Sequence, residues 1–308
     1  MEVQNYAGFI NLDYNLTETI SIGGGLRYDY EKLIGEDLLG GGTLEKSQGE
    51  WLPKVTVSYR PNDDVHVYGT ISKGYHAGGF NGALPIDDEL AEYDAEYLWN
   101  YEIGIKGRLL DGRLQYDIAG YYLDWNDQQV QSQNGLGTII FNGGEARIIG
   151  VDGSLTALLA EGLVLTSGFS AQNAKYTSYI DDVNAPAFGI DTNLAGNKLI
   201  GAPKLSLSSS LQYVFSLGNG DFGVRLRADG RYTSKRAFDT TNLLIAGSYF
   251  LANLYAGIEN ETIEVGIYVD NVFDKTYLLG GSLSSATFPP LLTISDPRIY
   301  GVRAKFKF

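Results

Sequence analysis

Apolar and polar residues alternate strictly along segment after segment of this chain. Between positions 51 and 61, one face carries Trp51, Pro53, Val55, Val57, Tyr59 and Pro61. The opposite face of this segment is mostly polar, and similar alternation occurs at 20–31, 96–108, 222–232 and 300–308. A two-residue period is that of a β-strand, whose successive side chains point to opposite faces. The pattern therefore predicts an all-β protein made of antiparallel strands.

The lengths of the predicted connections alternate as well. Short turns are predicted at 15–18, 61–64, 110–112, 160–162, 217–221 and 259–261, and long connections at 32–49, 76–94, 127–142, 179–199, 236–247 and 272–297. Short turns on one rim and long loops on the other are typical of outer-membrane barrels, whose tilted strands cross the bilayer with about 9–11 residues. A soluble sandwich has no reason to sort its loops in this way. The pattern thus favours an antiparallel transmembrane β-barrel.

Large aromatic residues fall near both predicted rims. Trp51, Trp99 and Trp125 lie towards the long connections, and Tyr59, Tyr116, Tyr213 and Phe222 lie towards the short turns. Barrels place aromatic residues in girdles at the two membrane interfaces. The alternative is that these residues fill the core of a soluble sandwich. In the barrel, the odd-numbered side chains of 51–61 and 97–105 are expected to face lipid.

Composition removes several classes of function. The 308 residues include no cysteine, so neither disulfides nor thiolate sites are possible, and a formal charge of -14 argues against binding to nucleic acid. The only histidines are His66 and His76, too few for the usual triads and zinc sites. His66 fits best as a filler of the lumen. We therefore expect no enzyme, no bound metal and no cofactor.

Three local motifs resemble the barrel of TonB-dependent outer-membrane receptors. They are Ser72-Lys73-Gly74-Tyr75-His76-Ala77-Gly78-Gly79-Phe80-Asn81, Asn271-Val272-Phe273-Asp274-Lys275-Thr276-Tyr277, and the ending Pro297-Arg298-Ile299-Tyr300-Gly301 with a terminal Phe308. Their order and their distances from the C-terminus make the combination specific. The resemblance implies an assembly signal at Tyr300, Phe306 and Phe308. The glycine usual five residues before the last aromatic is replaced by Arg303, with Gly301 nearby.

The resemblance covers nearly the whole chain but only part of the family architecture. About 13 strands are predicted, whereas plugged transporters close with about 22. Residues 1–308 are therefore expected to form one unit, the C-terminal part of a barrel without its plug domain. The start of the chain has no export signal. The first strand, near 4–14, is expected to lie at an open edge or to close irregularly against 300–308.

The family implies energy-coupled uptake of a scarce solute in the cell outer membrane. The solute class is a siderophore, another metal chelate, a vitamin or an oligosaccharide. The implied partners are outer-membrane lipid and lipopolysaccharide, the barrel assembly machinery, a small solute, and a TonB-type coupling protein acting through the plug. A passive channel without a plug, or a soluble β-rich binding protein, remains the alternative.

Two groups of residues are candidates for function. Aromatic and polar residues near the connection at 76–94 are candidates to contact the solute, namely Tyr75, His76, Phe80, Asn81 and Tyr93. Alternatively, the aromatic residues pack the loops against each other, and His76 is a solvated loop residue. The same connection holds an acidic run that binds divalent ions or is simply solvated. Basic residues are expected to ring the lumen on the short-turn side, namely Arg60, Lys106, Arg108, Arg225, Arg227 and Arg303. This ring meets carboxylates of the plug, draws in an anionic solute, or pairs with Glu102, Asp117 and Asp229 on neighbouring strands.

Overall fold

The computed structural model describes residues 2–36, 42–81, 91–134, 137–182, 184–218, 220–283 and 289–306. Strands dominate: β1 Glu2–Asn15, β2 Ile20–Glu36, β3 Thr43–Asn62, β4 Val65–His76, β5 Gly79–Phe80, β6 Glu92–Tyr93, β7 Glu96–Leu109, β8 Leu114–Asn134, β9 Gly137–Ala160, β10 Leu163–Tyr179, β11 Leu205–Leu217, β12 Phe222–Thr233, β13 Arg236–Ala237, β14 Ile245–Ala246, β15 Tyr249–Glu259, β16 Ile263–Asp270, β17 Leu278–Ser282, β18 Leu291–Ile294 and β19 Ile299–Phe306. One short helix, α1, spans Asn184–Ala187. The predicted all-β class is confirmed.

Thirteen strands form one antiparallel sheet in which chain neighbours pair. Its order is β1-β2-β3-β4-β7-β8-β9-β10-β11-β12-β15-β16-β19. Within the described residues β1 pairs with β2 alone and β19 with β16 alone, so no ladder joins the two ends. The predicted count of about 13 strands and the predicted open edge at the first strand are confirmed.

The two faces of the sheet differ in polarity. The outer face carries exposed apolar side chains, as at Val57 and Ile103, which are 47% and 66% exposed. Tyr300 and Phe306 of the predicted assembly signal lie on this face at 66% and 61% exposure, whereas Phe308 lies outside the described residues. The inner face carries the charged residues of the alternating pattern. An apolar outer face and a polar inner face are expected of a wall between lipid and an aqueous lumen.

The predicted short turns are confirmed, but two long connections are shorter than expected. β2 ends only at Glu36 and β3 already begins at Thr43. Likewise, β8 ends only at Asn134 and β9 already begins at Gly137. The predictions of long connections at 32–49 and 127–142 are therefore wrong. About 10 residues suffice to cross the bilayer, so these hairpins extend well above it. In their upper parts, one face packs against other connections of this rim, so the regular apolar row that marks a strand in the sequence is lost.

Tyrosine rings of the inner face lie flat over glycines of the neighbouring strand. Tyr68 lies against Gly104, where an added Cβ would stand 2.5 Å from the ring, and Tyr268 lies against Gly301 even more closely. Such ring-over-glycine pairs shield the backbone that a glycine leaves bare. They account for some of the 39 glycines and 22 tyrosines of the chain.

Candidate ligand-capture surface

The ladder between β3 and β4 ends before the strands do. Its uppermost pair is Lys54 with Ser72, whereas β4 stays paired with β7 as far as His76 and Glu96. The upper end of β4 and β7 is therefore free to leave the wall that β2 and β3 form.

Side-chain contacts join the upper end of β4 and β7 to β3. Lys73 Nζ lies 2.9 Å from Glu50 Oε2, and the Tyr97 hydroxyl donates a 2.8 Å hydrogen bond to Glu50 Oε1. Glu50 stands on the inner face opposite Asp29, whereas Lys73 and Tyr97 continue the outer rows of β4 and β7. Outer-row side chains of β4 and β7 therefore contact an inner-face carboxylate of β3 at this end. The prediction that Tyr97 faces lipid is therefore wrong, since tertiary packing overrides the local alternation.

The connection between β4 and β7 includes the small β5–β6 hairpin, which a lysine of β3 holds in place. Lys46 Nζ donates a 2.8 Å hydrogen bond to the Tyr93 carbonyl and lies 3.3 Å from Glu92 Oε2 and 3.0 Å from Asp94 Oδ1. Part of the predicted acidic run is thus neutralised internally. Its other members, Asp87, Asp88 and Glu89, lie outside the described residues.

Two of the predicted capture residues fix the same connection. Asn81 donates from Nδ2 to the Ile140 carbonyl and accepts from the Ile140 N–H, both at 2.6 Å. The Phe80 ring packs against Gly35, where an added Cβ would stand 3.6 Å from it. The connection is thereby joined to β9 on one side and to β2 on the other.

All five predicted capture residues lie at this upper end, but they differ in what they present. The Tyr75 hydroxyl is hydrogen-bonded to Asp29, so it serves internal packing. The His76 side chain is 72% exposed, with Nδ1 3.7 Å from Glu96 Oε1. The free polar surface of the group is therefore concentrated at His76.

A buried apolar cluster on the inner face was not predicted from the sequence. It joins the upper parts of β8, β9 and β10 to the connection that follows β10, through Val130, Ala146, Ala174, Tyr176, Tyr179, Ala185, Leu194 and Leu199. Trp125 packs against this cluster from the inner face, opposite Ala146, so the prediction that it belongs to an interfacial girdle is wrong. The available signal was the apolar spacing within 180–204, a segment expected to be a solvated loop.

A local irregularity in β10 builds this cluster. The register between β10 and β9 shifts between Tyr176 and Ser178, as in a β-bulge, which turns Tyr179 to the same face as Tyr176. The two rings then pack against each other with centroids 4.8 Å apart and planes tilted by 30°. Beyond Tyr179 the chain folds back, and the Leu194 N–H donates to the Tyr179 carbonyl at 2.9 Å.

Burial changes the acidity of both phenols, which lie above the bilayer-spanning part of β10. Burial, reinforced by the Asp181 carboxylate, raises the pKa of Tyr176 to about 12. The same two causes, in the same order, raise the pKa of Tyr179 further. Both rings are therefore neutral in the folded state throughout the ordinary pH range.

The predicted basic residues lie on the inner face in two groups. Arg60, Lys106 and Arg108 stand on β3 and β7, and Arg225, Arg227 and Arg303 stand on β12 and β19. Three of them are paired: Arg108 with Asp64 at 3.2 Å, Arg225 with Glu259 at 2.6 Å, and Arg227 with Asp229 at 2.9 Å. Of the acidic residues expected to pair with them, Asp229 does so. Glu102 instead accepts a hydrogen bond from Tyr68.

Two kinds of feature are absent from the described part of the chain. Within it, no helix has the length and apolar character needed to cross a membrane. The same residues contain no group of three or more His, Asp or Glu side chains arranged to hold a metal ion.

Two of the solved structures that resemble this chain are receptors for ferric yersiniabactin and for a siderophore. The ferric yersiniabactin uptake receptor from Yersinia pestis matches with a TM-score of 0.82 at 22% identity, over 99% of this chain and 46% of that one. The siderophore receptor PiuA from Acinetobacter baumannii matches with a TM-score of 0.74 at 17% identity, over 98% and 42%. At these identities the likeness shows the fold alone.

Sequence comparison agrees with the structural likeness. The pesticin receptor of Yersinia pestis is 24% identical over 99% of this chain and 44% of its own length, so the chain spans less than half of that relative. The metal-pseudopaline receptor of Pseudomonas aeruginosa is 27% identical over 76% of this chain and 31% of its own length. The family model described as "TonB dependent receptor-like, beta-barrel" matches residues 1–272. This chain therefore belongs to the TonB-dependent receptor β-barrel family.

Proposed function

We propose that this chain is part of a cell outer-membrane receptor that takes up a siderophore or another metal chelate. Residues 1–308 act in it as one unit of barrel wall. Two of the similar proteins support the solute class, because their names specify a metal-pseudopaline receptor and a ferric yersiniabactin uptake receptor. Uptake is driven by a TonB-type protein that acts through a plug domain of the full-length protein.

The observation that carries this proposal is that long connections of one rim contact the inner face of the sheet. Two of them, 77–95 and 180–204, contact the inner face through their described residues, on the rim opposite the short turns. A passive channel needs an unobstructed lumen, whereas a receptor needs fixed surfaces that a scarce solute can contact. The outer face contacts lipid and lipopolysaccharide, and Tyr300, Phe306 and Phe308 serve recognition by the barrel assembly machinery.

The capture residues divide into those that touch the solute and those that position them. His76 contacts the solute directly, together with the rings of Phe80 and Tyr93. Tyr75 and Asn81 hold this surface through Asp29 and Ile140.

Uptake of radiolabelled ferric siderophores by iron-starved cells tests the proposal. Deleting the gene of the full-length protein abolishes uptake of at least one siderophore in a panel, and a protonophore has the same effect on the parent strain. Uptake that persists with the protonophore would establish the passive channel instead. Iron uptake from every siderophore of the panel that is unchanged by the deletion would remove the proposed solute class.

Deletion of residues 78–92 in the full-length protein tests the capture surface. High-affinity binding of the transported siderophore is lost, while the barrel keeps its heat-resistant migration on gels. The single change His76→Ala weakens binding without releasing the connection, because its side chain is largely exposed. Unchanged affinity in both variants moves the capture site elsewhere.

A further inference from the structure

A cavity of about 410 Å³ opens on the inner face at the short-turn end of the sheet. It lies between β3, β4, β7 and β8, and its walls include Arg60, His66, Lys106 and Asp117. Lys106 and Asp117 are cross-strand partners, and His66 is the cross-strand partner of Lys106 on the other side. Three neighbouring strands thus bring three nitrogen-bearing side chains to one place.

One nitrogen of the His66 imidazole is buried without a hydrogen-bond partner among the described residues. That nitrogen is Nε2. The ring stands 5.7 Å from that of Tyr68, centre to centre, and Lys106 Nζ lies 5.4 Å from the same Tyr68 ring. A buried polar atom without a partner is unfavourable, and such atoms in native proteins commonly mark the place of an absent group.

The two nearest cations are also without a carboxylate partner. In the part of the chain that the structure describes, neither Arg60 nor Lys106 forms an ion pair, although both charges act on His66. The neighbouring Arg108 is engaged by Asp64 at 3.2 Å and by the Asp63 carbonyl at 3.3 Å. Arg60 and Lys106 therefore remain available to an incoming group.

We propose that Arg60, His66 and Lys106 form a binding site for a carboxylate. A guanidinium and an ammonium attract an anion, and an imidazole N–H adds a directional donor. Asp117 on the same wall disfavours anions of higher charge such as phosphate, which selects a singly charged group. The carboxylate comes either from an acidic side chain of polypeptide packed in the lumen or from a solute passing through it. This site depends on the wall and not on the captured solute, so it can fail while the uptake proposal stands.

The absence of cysteine from the chain allows a direct test in the full-length protein. Gln115 lines the same cavity opposite Arg108, so Gln115→Cys places a thiol at the site. Its reaction rate is measured with an anionic and with a cationic methanethiosulfonate reagent of similar size. The measurement is repeated after adding Arg60→Gln and Lys106→Gln, and folding is checked by heat-resistant migration on gels.

Each source of the carboxylate gives a different result. If the site is open to solutes, the anionic reagent reacts about tenfold faster than the cationic one, and the preference disappears in the Arg60→Gln/Lys106→Gln background. If a polypeptide carboxylate occupies the site, both reagents react slowly, and both accelerate about tenfold in that background. Equal rates that the two substitutions leave unchanged would overturn the proposal.

Arg231→Gln provides the matched control. Arg231 is also an inner-face arginine, but it lines a different cavity, together with Asp152 and Ser208. Its replacement leaves both rates at Gln115→Cys as they are in the parent. A change as large as that caused by Arg60→Gln and Lys106→Gln would mean that the thiol senses overall charge and not this site, and would also overturn the proposal.

Discussion

Two connections on the same rim fold against the inner face, yet different forces hold them. The 77–95 connection is held by hydrogen bonds and ion pairs, chiefly from Asn81 and Lys46. The 180–204 connection is held by an apolar cluster centred on Tyr176 and Tyr179. Apolar burial is non-directional and strengthens with area, whereas each polar contact exchanges with water at little net gain. We therefore expect the first connection to open often and the second to behave as part of the wall.

The largest effect is expected from Tyr179→Ala, because Tyr179 is among the most buried side chains of the described residues. Removing a fully buried aromatic ring costs about 3–5 kcal/mol. The loss falls on the docking of 180–204, which hydrogen–deuterium exchange measures as faster exchange of that segment alone. Ile180→Ala, at a largely exposed neighbour, is the control with little effect. Slow exchange retained in Tyr179→Ala would show that apolar burial does not hold this connection.

The same docking depends on pH in a defined direction. The raised pKa of Tyr176, about 12 against 10.0 for a free phenol, means that docking gains stability while the ring is neutral. That stability is complete below about pH 10 and is lost as the pH rises towards 12. Protection of 180–204, taken relative to the base-catalysed exchange rate of an unfolded chain at the same pH, therefore falls across this range, and protection of 77–95 serves as the internal comparison.

The wall beneath both connections provides the next test. Val57→Arg places a charge on the lipid-facing row and is expected to cost about 2–4 kcal/mol near the bilayer midplane. Thr56→Arg, one residue away on the inner face, is the matched control. Urea unfolding of the full-length protein in lipid vesicles measures both. Equal stabilities would mean that the outer face does not meet lipid.

A smaller effect is expected from Asn81→Ala, which tests whether hydrogen bonds hold the 77–95 connection. The change removes both hydrogen bonds with Ile140 and costs about 1–3 kcal/mol locally. Proteolysis within 77–95 then accelerates, and exchange of 180–204 stays as in the parent. Asn81→Asp keeps the acceptor and loses the donor, so its effect is intermediate. An unaltered cleavage rate in Asn81→Ala would assign the holding role to Lys46.

The smallest effect is expected at the opposite rim, where the described connections are short turns. The Arg108 and Asp64 side chains are 53% and 61% exposed, so Asp64→Asn costs at most about 1 kcal/mol in urea unfolding. Arg225→Gln is the comparison, because its partner Glu259 is far less exposed. A larger loss for Asp64→Asn than for Arg225→Gln would contradict the role of solvent screening.

The sequence predicts the lower wall well because its information is local. An alternating row of apolar residues, such as that of Val55 and Val57, predicts both the strand and the face of the strand that meets lipid. The upper part escapes prediction because its contacts join distant segments. Tyr97 follows the outer row in sequence, but its hydroxyl meets Glu50, 47 positions away. Tyr179 changes face through a bulge, which no periodic pattern announces.

The tyrosines that lie flat over glycines have a consequence for the width of the lumen. A ring that stood upright on the inner wall would project several ångströms into the path of a solute, and a row of them would narrow the bore. Laid over Gly104 and Gly301, the rings of Tyr68 and Tyr268 instead pave the wall. The inner face therefore carries large aromatic residues and their hydroxyl groups without narrowing the lumen. A methyl group at either glycine would lift its ring from the wall, so these two positions set how far the two rings project from the inner face.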